Sequence, residues 1–115
     1  MAVANLEMTN YKQLVDYFEE THKNVKKIGP NTKAVYVWQD QEVSIFYHGS
    51  KIVRLLPNGV ICFTLAVYPT VTTRGRVNQF LPWQAKINQR NHKQMIGDTN
   101  ISSREWYKVS DFTEA

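Results

Sequence analysis

The amino-acid sequence predicts an α+β fold, in which an N-terminal helix packs on a twisted antiparallel β-meander of about four to six strands, with a short helix after the fourth strand. Three observations predict this class. Apolar residues recur at helical spacing over residues 10–28, segments of period two follow from residue 33, and turn residues separate those segments. With 115 residues, of which 43% are apolar, the chain is expected to form one domain over residues 1–115.

The helix predicted over residues 10–28 has a single apolar stripe. Its members recur every three or four positions: Tyr11, Leu14, Val15, Phe18, Val25 and Ile28. Asn10 is expected to cap the helix, with Gln13 completing a capping box, and Gly29-Pro30 is expected to end it. The mixed charges of the opposite face are typical of a helix that faces solvent and serves as scaffold.

Four strands are predicted after the helix, each rich in β-branched and aromatic residues. They are KAVYVWQD (33–40), QEVSIFYHG (41–49), KIVRLL (51–56) and VICFTLAV (60–67). Pro57-Asn58-Gly59 favours a hairpin between the last two strands, because proline presets the first turn position and glycine accepts a left-handed one. Apolar residues occur on both faces of these strands, so a second layer or a partner is expected to cover the face away from the helix.

The remaining residues predict a short helix and a hairpin. RGRVNQFLP (74–82) is interpreted as a short helix with Thr72 or Thr73 as its N-cap and Pro82 at its end. Alternating residues near Trp106 favour a final strand, and we expect a β-hairpin from about Gln84 to Val109, with its loop around residues 97–103.

The charges are unevenly distributed along the chain. Residues 1–42 carry six acids and five bases, and residues 98–115 carry four acids and two bases. Residues 43–97 carry no acid and seven bases: Lys51, Arg54, Arg74, Arg76, Lys86, Arg90 and Lys93. This asymmetry favours an anionic partner, with nucleic acid first and an acidic protein surface second, and ordinary solvated charge is the alternative.

Two groups of residues are candidates for anion or nucleic-acid binding. Arg74 and Arg76, expected in the first turn of the short helix beside Thr72 and Thr73, would form a small site suited to a phosphate. The alternative is that both arginine side chains point outward into solvent.

The second group is a basic and aromatic run made of Trp83, Lys86, Arg90 and Lys93, interleaved with amide side chains. Cations contact phosphates and an exposed aromatic ring can stack on an unpaired base. The alternative is an edge strand that its charges protect against aggregation.

No catalytic or cofactor-binding pattern is found in the sequence. His48 ends a strand beside a turn, but no acid between residues 43 and 97 could orient it, and the three histidines lack metal-ligand spacing. The single cysteine, Cys62, excludes an internal disulfide, and P-loop, Rossmann and nucleophile-elbow motifs are absent. We therefore expect a protein that is not an enzyme and has no cofactor, no metal and no membrane partner.

The segment from His48 to Pro82 resembles a pattern in small uncharacterised proteins of tailed phages. The pattern combines HG-x-x-IV and the Pro-Asn-Gly turn with TVTT-x-x-RVN-x-x-LP, which spans residues 70–82 here. The residues before it, Ala66-Val67-Tyr68-Pro69, depart from the usual glycine- and tryptophan-containing segment. The resemblance implies a phage origin and a location in the cytoplasm of the infected host cell, and it supplies no catalytic residues.

Four functional hypotheses follow. The first is a non-enzymatic phage-encoded protein that binds nucleic acid or another polyanion through the basic central region. The second is a modulator or inhibitor of a host protein. The third is a minor virion or assembly component, which would form a homo-oligomer through the apolar sheet face. The fourth is a module that binds a small molecule or nucleotide at the threonine-arginine corner.

Overall fold

The computed structural model describes residues 6–113 of the chain. The first helix is α1 (Tyr11–Thr21), and five strands follow it: β1 (Val25–Gly29), β2 (Thr32–Val37), β3 (Glu42–Tyr47), β4 (Ser50–Leu55) and β5 (Ile61–Phe63). The second half contains α2 (Val71–Asn78), β6 (Asn88–Arg90), β7 (Lys93–Ile96), β8 (Thr99–Ile101), β9 (Tyr107–Lys108) and α3 (Ser110–Thr113). The predicted α+β class, with an N-terminal helix on an antiparallel sheet, is confirmed.

The strands form two antiparallel sheets. The main sheet has six strands in the order β1-β2-β3-β4-β5-β9, and the second sheet has three, in the order β6-β7-β8. Helix α2 follows β5, which corresponds to the strand predicted as the fourth, because β1 was not recognised as a strand in the sequence.

The predicted helix over residues 10–28 is wrong beyond Thr21. The N-cap prediction is confirmed, since the Asn10 side chain accepts a hydrogen bond from the backbone N–H of Gln13. His22 then adopts a left-handed conformation and donates its N–H to the carbonyl of Phe18, which ends the helix. The spacing of Val25 and Ile28 suits a helix, but pairing with β2 makes this segment a strand in which Val25 is exposed and Ile28 is buried.

The core lies between α1 and one face of the main sheet. Leu14 and Phe18 are fully buried, and the Phe18 ring stacks on Tyr36 of β2 with its centroid 5.4 Å away. The register of the strands places further buried side chains on the same face, among them Ala34, Val43, Ile45, Val53, Leu55 and Phe63. Leu65, which follows β5, is buried in the same core.

The tight turns follow the positive backbone angles that their residues accept. His48 and Gly49 join β3 to β4 with φ of 51° and 83°, and Asn58 and Gly59 lie in the turn between β4 and β5 with φ of 67° and 77°. The hairpin predicted at Pro57-Asn58-Gly59 is confirmed, since the N–H of Leu56 donates to the carbonyl of Val60 across its base.

The predicted hairpin over residues 84–109 is wrong. Residues 88–101 form the three strands of the second sheet, and β9 joins the main sheet beside β5. Asn91 and His92 both have positive φ and close a two-residue turn between β6 and β7. This pair was not recognised as a turn in the sequence, so one long strand was predicted where two short ones occur.

The turn at Ala66 and Val67 has left-handed backbone conformations at two residues that disfavour them. Ala66 and Val67 have φ of 52° and 65°, and the N–H of Tyr68 donates to the carbonyl of Leu65. A left-handed conformation is unfavourable for a β-branched residue, because its side chain crowds the backbone. The strand predicted over residues 60–67 therefore ends at Phe63, and the Val67 side chain lies outside the core and is 48% exposed.

Replacing Val67 with glycine is expected to raise the free energy of unfolding by about 0.5–1 kcal/mol, because glycine accepts the left-handed conformation without steric cost. Chemical denaturation measures this change. The matched control is Val60→Gly, at an exposed valine with an extended backbone, which is expected to lower the free energy of unfolding. Destabilisation by both substitutions would contradict the strain at Val67.

Candidate nucleic-acid interface

The threonines at the start of α2 form hydrogen bonds with the helix backbone and with one another. The N-cap is Thr70, and not Thr72 or Thr73 as predicted, and its hydroxyl accepts a hydrogen bond from the N–H of Thr73. The Thr70 hydroxyl also donates to the Thr73 hydroxyl at 3.0 Å. Thr72 and Thr73 line a cleft of about 360 Å³ together with Tyr47, His48, Ser50, Tyr68 and Thr70.

Arg74 joins α2 to the second sheet. Its Nη1 donates to the side-chain oxygens of Gln89 and Gln94, each at 3.0 Å, and to the carbonyl of Pro69 at 3.1 Å. Gln94 is buried and its own amide nitrogen donates to Gln89, so the arginine completes a polar network beneath the second sheet. In the described residues, the side-chain hydrogen bonds of Arg74 thus go to Pro69, Gln89 and Gln94 and not to Thr72 or Thr73.

Arg76 is buried against residues of the main sheet and the loop before β2, whereas Arg74 contacts the second sheet. It is 5% exposed, its Nη2 donates to the carbonyl of Pro30 at 3.3 Å, and its guanidinium lies 5.3 Å from the centre of the Tyr47 ring. The expectation that it lies in the first turn of the helix is wrong, because α2 begins three residues earlier than its first arginine and Arg76 falls in the last turn. The helix dipole favours a cation there.

Trp83 and Lys86 lie at opposite ends of a short turn after α2. The Trp83 side chain is 79% exposed, the highest value among the exposed large hydrophobic residues of the described chain. The Asn78 side chain pairs with the backbone of Ile87 through two hydrogen bonds, one from Nδ2 to the carbonyl and one from the N–H to Oδ1. Because Lys86 Nζ also donates to the Asn78 carbonyl, the C-terminal end of the loop is attached to the residue from which the loop starts.

Arg90 and Lys93 are cross-strand neighbours at one end of the second sheet. Both are exposed, and the alternation of the strands places them on the face opposite to the buried Gln94 and Ile96. The Arg90 Nη2 donates to the carbonyl of Gly97, and it lies 3.7 Å from the fully exposed carboxylate of Asp98. Among the described residues, Lys93 forms no ion pair, so this face keeps a positive surplus.

A charged cluster that the sequence analysis did not identify lies on the outer face of the main sheet. The side chain of Glu42 is 8% exposed, and its Oε1 accepts hydrogen bonds from Arg54 Nη2 at 2.8 Å and Nε at 3.2 Å. Its Oε2 accepts a hydrogen bond from the Ser44 hydroxyl at 2.7 Å, and Lys51 Nζ lies 3.8 Å away. Glu42 is the last acid before the acid-free segment over residues 43–97. Its contacts with Arg54 and Lys51 depend on the pairing of β3 with β4, which was not predicted from the sequence.

The hydrogen bond from Arg54 is the main cause that lowers the pKa of the Glu42 carboxyl below its usual value. Burial acts in the opposite direction, and the Ser44 hydroxyl and the charges of Arg54 and Lys51 add to the lowering. Glu42 in turn raises the pKa of Arg54. Both groups are therefore ionised at neutral pH.

An open groove of about 810 Å³ lies over this cluster. Its lining includes Lys51, Arg54, Arg104 and Trp106, with Asp40 and Glu42 as the two acids. Bases outnumber acids in the lining by three to two, and Lys33 and Lys108 add two more bases to the same face by strand register.

No group of three or more histidine, cysteine or acidic residues within residues 6–113 could hold a metal ion. No helix within that range is both long enough and apolar enough to cross a membrane.

Comparison with known proteins identifies one family. The family model described as Kyanoviridae Gp96 protein matches residues 9–113. No curated protein and no solved structure shows significant similarity to the chain.

Because the pKa of Glu42 is lower in the folded than in the unfolded chain, its ionised form stabilises the fold above the unfolded value of about 4.3. This contribution is lost as the pH falls through the folded pKa. Replacing Glu42 with glutamine is expected to lower the free energy of unfolding at pH 7 by about 1–3 kcal/mol. The difference from the unmodified protein is expected to shrink below about pH 4.

Urea denaturation at a series of pH values measures this difference. The matched control is Glu20→Gln, at an exposed position of α1, which is expected to change stability little at any pH. A Glu42→Gln effect that stays constant from pH 7 to pH 3 would contradict the role of the ionised carboxylate.

Proposed function

The chain belongs to the Kyanoviridae Gp96 protein family, a family of phage proteins, and we propose that this member is a small non-enzymatic protein that binds nucleic acid in the cytoplasm of the infected cell. The observation that carries the proposal is the exposed ring of Trp83 in a segment that contains bases and no acid. A tryptophan exposed to this degree contributes little to the core. Its ring can instead stack on an unpaired base.

Charge supports the same partner. Residues 43–97 carry seven bases and no acid, and Lys93 and Arg90 lie side by side on the outer face of the second sheet. Like charges that face each other across a strand pair repel, and a bound phosphate would relieve that repulsion. The contacts we propose are therefore Lys86, Arg90 and Lys93 with phosphates and Trp83 with a base.

Arg74 and Arg76 have different roles in this proposal. Both side chains make contacts within the protein, to Gln89 and Gln94 for Arg74 and to Pro30 and Tyr47 for Arg76. We assign them to holding α2 in place rather than to contact with nucleic acid. Thr72 and Thr73 line a cleft whose lining contains no arginine.

Fluorescence anisotropy with labelled single-stranded and duplex oligonucleotides tests the proposal. Affinity is expected to fall steeply with salt, because binding releases counterions from the phosphates. The Trp83→Ala variant is expected to bind a single strand about 5- to 100-fold more weakly, through the loss of stacking.

A matched pair of lysine variants tests the position of the site. Lys93→Gln is expected to reduce the slope of log K against log salt by about 1, whereas Lys23→Gln, just after α1, is expected to leave it unchanged. No binding to either kind of oligonucleotide at low salt would contradict the proposal, and so would equal effects of the two lysine variants.

A second candidate function is binding to a host protein. It is favoured by a group of exposed apolar side chains, Val67, Tyr68 and Val71, that adjoins the strained turn at Ala66 and Val67. Strained backbone occurs preferentially at functional sites, and an exposed tyrosine is a typical anchor of a protein interface.

Affinity capture from nuclease-treated host lysate separates the two candidates. A host protein that the unmodified protein retains and the Tyr68→Ala variant loses would support the second candidate. Retention of the same proteins by the Tyr68→Ala and Trp83→Ala variants alike would count against this patch as an interface.

A further inference from the structure

We propose that the groove on the outer face of the main sheet binds one nucleotide unit of a single-stranded nucleic acid, with its phosphate at Arg54, Lys51 and Arg104 and its base on Trp106. The inference deepens the proposed function and rests on it. It adds a binding surface on the main sheet to the Trp83 loop and the second sheet.

The first argument is that Arg54 is held in place before any ligand binds. Its Nε and Nη2 both donate to one oxygen of Glu42, whose other oxygen is held by Ser44. The side chain of Arg54 is still 39% exposed, and its Nη1 donates no hydrogen bond within the described residues. A guanidinium that is fixed along one edge and open at the other is suited to an incoming phosphate oxygen.

The second argument concerns charge. Glu42 is shared between Arg54 and Lys51, so one base of this pair is not neutralised by it. Arg104 adds a further cation to the lining, and no ion pair of its side chain occurs in the described residues. Asp40 also lines the groove and its charge acts on Arg54, so the attraction for a phosphate comes from the surplus of one positive charge that three bases and two acids leave in the lining.

The third argument is the aromatic wall. Trp106 is 43% exposed and lines the groove, while the next residue, Tyr107, pairs with Phe63 and packs against its ring in the core. The alternation of the strand thus fixes the indole on the outer face. A phosphate site beside an aromatic wall matches the two ends of a nucleotide.

The shape of the groove favours a strand over an isolated nucleotide. Its volume of about 810 Å³ falls in the range of small-molecule sites, but it is an open groove rather than an enclosed cavity. A chain can enter and leave such a groove at its ends. Lys33 and Lys51 also flank the Phe46 ring on the same face, at 5.7 and 5.8 Å from its centre, which extends the basic and aromatic surface.

Tryptophan fluorescence can separate this groove from the Trp83 loop. The variant Trp38→Phe/Trp83→Phe keeps Trp106 as its single tryptophan, and the variant Trp38→Phe/Trp106→Phe keeps Trp83. Each is titrated at low salt with an oligothymidylate of about 15 nucleotides, long enough for one binding site. Circular dichroism of each variant checks that it is folded before titration.

We expect the emission of Trp106 to be quenched by the oligothymidylate. Arg104→Gln is expected to weaken this quenching titration about 3- to 10-fold and to lower its salt slope by about 1, whereas Lys23→Gln leaves it unchanged. The Arg104 side chain is exposed and forms no hydrogen bond or ion pair in the described residues, so its replacement is expected to leave the fold intact. Thymidine monophosphate is expected to quench Trp106 only at much higher concentration than the strand.

Three outcomes would overturn the inference. Quenching of Trp83 without quenching of Trp106 would show that the strand does not enter the groove, and would leave the proposed function in place. Equal quenching of Trp106 by polyglutamate would assign the groove to acidic peptides. Quenching of neither tryptophan, together with no anisotropy change for the unmodified protein, would overturn both the inference and the proposed function.

Discussion

The contact between α1 and the inner face of the main sheet is the constraint on which the other arrangements depend. Leu14 and Phe18 are fully buried there, and each strand must then turn its apolar positions toward them. The remaining positions of the same strands are forced to the outer face. Glu42, Ser44 and Arg54 meet there because the register that buries Val43, Ile45 and Val53 leaves no other place for them.

The sequence predicted the parts of the fold that depend on local pattern. The N-cap at Asn10 and the turn at Pro57-Asn58-Gly59 were correct, since each is determined by residues close in sequence. The end of α1 was missed because the spacing of Val25 and Ile28 is helical, whereas in the strand Val25 is exposed and Ile28 is buried. Only the pairing with β2 decides between the two, and that pairing is a long-range property.

The candidate site was predictable to a smaller extent. Trp83, Arg90 and Lys93 are exposed, as a binding role requires, whereas Arg76 is buried. The error at Arg76 came from placing the helix start two or three residues too late, which moved this residue from the last turn to the first. The groove at Arg54 and Trp106 could not be found from the sequence, because it joins residues of β3, β4 and the segment before β9.

The attachment of residues 79–86 to the side chain and carbonyl of Asn78 affects the thermodynamics of any association at Trp83. A flexible loop loses conformational entropy when a ligand orders it, and this loss weakens binding. Here hydrogen bonds between Asn78 and both Lys86 and Ile87 join the two ends of the loop, so the loop becomes ordered when the protein folds. A ligand that stacks on Trp83 meets a ring whose backbone is already fixed, and the favourable enthalpy of stacking is opposed by little entropy of the protein chain.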